Sequence, residues 1–131
     1  DLLSAIPLLW GIAISLKALD VPQAAPPFTL GPAHPVAHAA LVGGVLAGLA
    51  IAGKLSNGPL AVLLPGVFLF CRGTLLQRAA WVAWSIAGMT VSFVLVYAWW
   101  GSQLWMTFGN PIYPFADGLF QPLRDLVGWR P

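Results

Sequence analysis

Lys54, Ser56 and Asn57 stand in Lys54-Leu55-Ser56-Asn57-Gly58-Pro59, a short polar break between two apolar runs, VAHAALVGGVLAGLAIAG and LAVLLPGVFLFC. A lysine and an asparagine are costly against lipid, so the break is either a tight turn at a membrane surface or a functional interruption within the membrane. As chemistry, an ammonium followed by a hydroxyl and an amide can hold a phosphate at the interface. As structure alone, Lys54 snorkels from a loop and Asn57-Gly58 forms its turn. Residue types leave both readings open.

The remaining candidates are sparser. His34 and His38, four residues apart around a helix start, can fall on one face and ligate a metal, haem or a chlorin through an imidazole nitrogen. Two histidines do not make a metal set, and His38 reads more simply as a packed or interfacial polar residue. The acids are Asp1, Asp20, Asp117 and Asp125, with no adjacent pair for general acid–base work. Asp117, in PFADGLF, is the acid closest to a lipid-facing cavity, and a turn or helix cap is its simpler role. Cys71, the only cysteine, cannot close an internal disulfide and reads as a small apolar helix residue. No phosphate-cradling glycine loop, nucleophile elbow or nucleic-acid patch is present, so nucleic acid is not an expected partner.

The elements that must carry these residues are apolar. The 131-residue chain is 59% hydrophobic and 8% charged, against about 25% charged in soluble domains. This composition predicts an all-α integral membrane protein. Its net charge of +2 rests on too few residues to imply a basic-seeking partner, and the basic residues serve better as topology markers. The chain starts at Asp1 and enters an apolar run without the basic n-region of a signal peptide, which reads as a processed start or an excerpt.

About four transmembrane helices are expected in a single region covering 1–131, at 2–19, 36–53, 58–71 and 79–100. Between the first two, five prolines in residues 20–35 forbid a continuous helix. Pro35 suits a first helical position. Gly44 and Gly48, at i and i+4 on the second helix, let another helix approach closely. The third segment is short and carries Pro65, so it is expected to be kinked or incomplete as a span. Residues 72–78 read as a compact basic connection. The last run ends in Tyr97, Trp99 and Trp100, suited to the headgroup level, as are most of the seven tryptophans. The tail 101–131 is expected to lie along the interface, with one short helix near 119–127. Lys17, Arg72 and Arg78 fall on one side by alternation of spans, which the positive-inside rule makes cytoplasmic, and the Lys54 break and aromatic tail then share the opposite face.

Two stretches, GLAIAGKLSNGPLAVLLP at 48–65 and residues 72–115, resemble the polytopic GT-C glycosyltransferases of the protein O-mannosyltransferase and lipid A aminoarabinose transferase type. The resemblance lies in a glycine-rich helix, a lysine-containing break, a leucine-rich helix near a proline and a basic turn. It ends in YAWWGSQLWMTFGNPIYPF, whose FGNPIYPF is similar to the GNP-aromatic-PF loops of bacterial members. The resemblance implies transfer of a sugar from a polyprenyl-phosphate donor in a bacterial inner membrane. Lys54, Ser56 and Asn57 would then lie near the lipid phosphate, and Asn110, Tyr113 and Asp117 would line the acceptor side. The chain departs from the family in lacking its many further spans and its acidic catalytic residue in an early extracytoplasmic loop. The competing expectation is a non-catalytic transmembrane accessory subunit of a respiratory or photosynthetic complex, contacting membrane lipids and other helices or subunits, with His38 as its haem or chlorin contact.

Overall fold

The computed structural model describes residues 2–22, 30–31 and 33–130. The middle of the proline-rich loop expected over 20–35, and Asp1, lie outside the described residues. All regular structure among the described residues is helical. The chain divides into two compact units, Asp1–Leu95 and Val96–Pro131.

In the first unit, α1 (Leu2–Lys17) is continued by a 3₁₀ turn, Ala18–Asp20, and α2 runs Pro35–Gly53. A 3₁₀ turn at Leu55–Asn57, the one-turn α3 (Gly58–Ala61) and a 3₁₀ helix at Leu64–Phe70 then lead to α4 (Leu75–Phe108). Leu2–Asp20, Pro35–Gly53 and Leu75–Phe108 are long and apolar enough to cross a membrane, while Leu55–Phe70 is shorter. The expected third segment at 58–71, short and carrying Pro65, forms two helical pieces rather than one helix. Pro59 and Pro65 remove backbone donors at the start of each piece, and the tighter 3₁₀ pattern takes over.

Small residues bring the helices together. α1 and α2 are antiparallel: a Cβ on Gly11 would stand 3.1 Å from the Gly43 carbonyl, and one on Gly43 would stand 2.6 Å from the Ser15 hydroxyl. That hydroxyl donates to the Gly11 carbonyl at 2.8 Å, so it is satisfied inside the contact. α2 and α4 are parallel. Gly44 lies on the Ser85 carbonyl and Gly48 on the Met89 carbonyl and Ser92 hydroxyl, with no room for a side chain at either glycine. Gly88 approaches the other way, against the Leu41 carbonyl, and the Ser92 hydroxyl donates to the Val45 carbonyl at 2.9 Å.

Two parallel helices need a connection that returns the whole length of α2, and Leu55–Phe70 is that connection. It starts beside the end of α2 and reaches the Ala18–Asp20 turn at the opposite end of α1. At 1.5–2.0 Å per residue it extends about 24–32 Å, close to the thickness of a bilayer core. Leu64 packs against Gly11 and Gly43 on the way, and Leu64, Phe68 and Cys71 are buried.

α4 begins four residues before the expected 79 because Thr74 and Gln77 form a capping box. The Thr74 N–H donates to Gln77 Oε1 at 2.9 Å and the Gln77 N–H to Thr74 Oγ1 at 3.2 Å. Residues 75–78 are thus helix rather than connection. α4 also runs past the expected 100, since no proline interrupts it before Pro111 and Gly101 alone does not stop a helix.

The second unit holds the end of α4, a loop over 109–116 and α5 (Asp117–Leu126). The part of the tail at 101–108 is accordingly helical. Gly109 ends α4 at a φ of 64°, and a side chain there would collide with Arg124 and Trp129.

Candidate functional site

The polar break closes one end of the first unit. Asn57 spends its amide on structure, donating to the Ala50 carbonyl at 3.0 Å and to the Ser4 carbonyl at 3.2 Å. It thereby adds a second donor to the Ala50 carbonyl, which already accepts the Lys54 N–H, and fastens the end of α2 to the start of α1. Lys54 and Ser56 are exposed, and Lys54 makes no ion pair among the described residues. Lys54 is the C-cap of α2, where the negative end of the helix dipole favours a cation. Of the three residues assigned to phosphate contact, Lys54 and Ser56 are available to a ligand and Asn57 positions them.

At the opposite end, His34 and His38 part company. His34 is buried, and its Nδ1 accepts the Val36 N–H at 3.2 Å as the cap of α2. Its ring lies 5.3 Å from that of Trp81. His38 is exposed one turn later. The two histidines therefore do not present one shared ligand face, and only His38 is open to a cofactor. Among the described residues no group of three or more His, Cys, Asp or Glu is placed to hold a metal ion. Nearby, Arg78 donates to the carbonyls of Gly73 and Leu69, and the Trp84 indole donates to the Leu30 carbonyl at 3.0 Å. An apolar groove of about 470 Å³ opens beside it, lined by Leu30, Gly31 and the Ala80, Ala83, Trp84 and Ala87 face of α4.

FGNPIYPF is a closed loop built around Asn110, whose side chain is fully buried. Its Oδ1 accepts the Ile112 N–H at 3.0 Å, and its Nδ2 donates to the Phe115 carbonyl at 2.8 Å and to Asp117 Oδ1 at 3.3 Å. Tyr113, preceding a cis proline, stacks on Phe108 with ring centroids 4.2 Å apart. Ala116 sits at a φ of 51°, in the left-handed region, where the chain turns into α5.

Asp117 is the first residue of α5 and forms a two-pronged pair with Arg124, at 2.7 Å and 3.3 Å. The Arg124 guanidinium, and then the Asn110 amide, hold the Asp117 carboxyl below its usual range. Arg124 also donates to the Phe108 carbonyl at the end of α4. Asn110 and Asp117 are thus used in holding the loop, while Tyr113 keeps an exposed ring face.

Two of these pairings are also visible in residue spacing. Thr74-x-x-Gln77 is a capping-box pattern, and Asp117 and Arg124, seven apart on a helix, fall on one face. Compared with protein-family models, with curated proteins and with solved structures, the chain matches none.

Proposed function

We propose that the chain is a membrane-integrated part of a GT-C-like glycosyltransferase in a bacterial inner membrane, contributing a lipid-phosphate contact and an acceptor-side loop. The observation that carries this reading is the FGNPIYPF loop, the segment on which the family resemblance rests most specifically. An irregular stretch rich in proline and aromatic residues is held in one shape by a buried asparagine and an ion pair. Such preorganisation suits a surface that must receive a partner or acceptor repeatedly. Lys54 supports the same reading, as an exposed cation beside an exposed hydroxyl, on a turn fastened by Asn57. An ammonium so placed would neutralise a polyprenyl phosphate at the membrane surface.

One observation favours the second reading, a non-catalytic accessory subunit. Among the described residues the acids are Asp20, Asp117 and Asp125, and Asp117 is engaged by Arg124. Under that reading the exposed His38 is the residue to meet a haem or chlorin.

Transfer of labelled sugar from polyprenyl phosphate, assayed in membranes carrying the full reading frame, separates the two. Lys54→Ala should raise the donor KM tenfold or more, the scale of a lost charge-assisted contact of roughly 1.5–3 kcal/mol. Unchanged transfer in the variant, with the protein purifying in a pigmented assembly, would overturn the glycosyltransferase reading.

A further inference from the structure

We propose that α5 lies on the bilayer surface with its Leu119, Leu123 and Leu126 face immersed at the boundary between headgroups and acyl chains, an inference that rests on membrane integration of the chain. The two sides of this helix are differently occupied. Asp117, Phe120 and Arg124 share one face and are engaged within the unit: Phe120 meets Trp105 edge-on at 6.4 Å, and Arg124 binds both Asp117 and the Phe108 carbonyl. Leu119, Leu123 and Leu126 recur at i, i+4 and i+7 on the other side, 75%, 50% and 86% exposed. The aromatic rings pair off, Trp105 with Phe120 and Phe108 with Tyr113, and the three leucines stand further out than Phe108 and Tyr113, which are 41% and 42% exposed.

The occupant follows from size, charge and position. A ten-residue helix is about 15 Å long and presents far less than the roughly 800 Å² per partner of a stable protein interface. It is long enough to float on lipid. Asp117 and Arg124 neutralise each other on the inner face, and Asp125, the third charge of the helix, falls to the side of the leucine stripe, where it can stay in water. α5 follows the end of α4 after the short loop 109–116, which reaches at most about 28 Å. α4 is long and apolar enough to cross a membrane, and although its roughly 51 Å exceeds the core of about 30 Å, the excess is within the reach of the loop, so α5 can return to the bilayer surface.

Nitroxide labels test this in the full chain reconstituted in phosphatidylcholine–phosphatidylglycerol vesicles, on a Cys71→Ala background. Labels at Leu119→Cys and Leu126→Cys should be more accessible to oxygen than to a water-soluble nickel chelate, and labels at Gly118→Cys and Asp125→Cys the reverse. Leu9→Cys, on the exposed side of α1, reports integration separately. Oxygen preference at 9 with chelate preference at 119 and 126 would overturn the docking while leaving integration standing. Low accessibility to both reagents at 119 and 126 would also overturn it, in favour of a protein partner. Chelate preference at 9 would remove the membrane reading itself.

Discussion

Asn110 and Asp117 show how a short irregular segment acquires one shape. Removing the Asn110 amide would take the partner from the Ile112 N–H and the Phe115 carbonyl together, and because both are only partly buried the cost falls at the lower end of about 1–3 kcal/mol. Asp117 contributes through its charge, so its contribution follows pH. With the carboxyl held below its ordinary range, the folded form binds its proton less readily than the unfolded form. The pair therefore contributes in full above the unfolded value, near pH 4, and is lost as pH falls through the lower folded value. Trp105 and Trp129 flank the pair's surroundings through Phe120 and Gly109, and their fluorescence reports the loop. An acid transition below about pH 4 is expected in the native protein and should be missing in Asp117→Asn, which is already loosened at pH 7. An identical acid transition in the variant would assign it to another group. The Asp117–Arg124 side chains are partly exposed, so salt should weaken the native contribution as well.

At the scale of elements, glycine spacing carries the packing. Gly44 and Gly48 are legible in the sequence as a close-approach pair, but which helix they receive is not, because apolar helices offer similar faces. The selection is made by Ser85, Gly88 and Ser92 on α4, small residues recurring at helical spacing, whose backbone can come as near as α2's own. Gly44→Ala would place a methyl on the Ser85 carbonyl, a backbone atom that cannot swing away, and should destabilise the helix pair by about 1–3 kcal/mol in detergent unfolding. Gly66→Ala, whose Cβ meets nothing within 4 Å, is the matched control and should stay within about 0.5 kcal/mol. Equal effects in the two variants would remove the α2–α4 contact as the cause. The start of α4 was equally legible in Thr74-Leu75-Leu76-Gln77. Reading residues 72–78 by their arginines hides it, since Arg78 serves the preceding carbonyls of Leu69 and Gly73 rather than a surface loop.

Across the molecule, the long apolar helices are plain in composition, whereas the path between α2 and α4 is not, because 3₁₀ segments broken by prolines carry no 3.6-residue pattern. The packing of α2 alongside α4 in parallel requires Leu55–Phe70 to run from the Lys54 end to the end where Arg72, Arg78 and the Ala18–Asp20 turn gather. A segment too short for an α-helical span covers the distance through its greater rise per residue. Its buried Leu64 and Phe68 are shielded by the neighbouring helices, which suits a backbone that would be poorly satisfied against lipid alone. In membranes, Lys54 and Arg72 should consequently face opposite sides although only seventeen residues separate them. A membrane-impermeant maleimide applied to sealed vesicles on a Cys71→Ala background should label Ser56→Cys from one side and Arg72→Cys only from the other or after permeabilisation. Labelling of both from the same side would mean that Leu55–Phe70 turns back at the surface, and the parallel arrangement of α2 and α4 could not then hold in the bilayer.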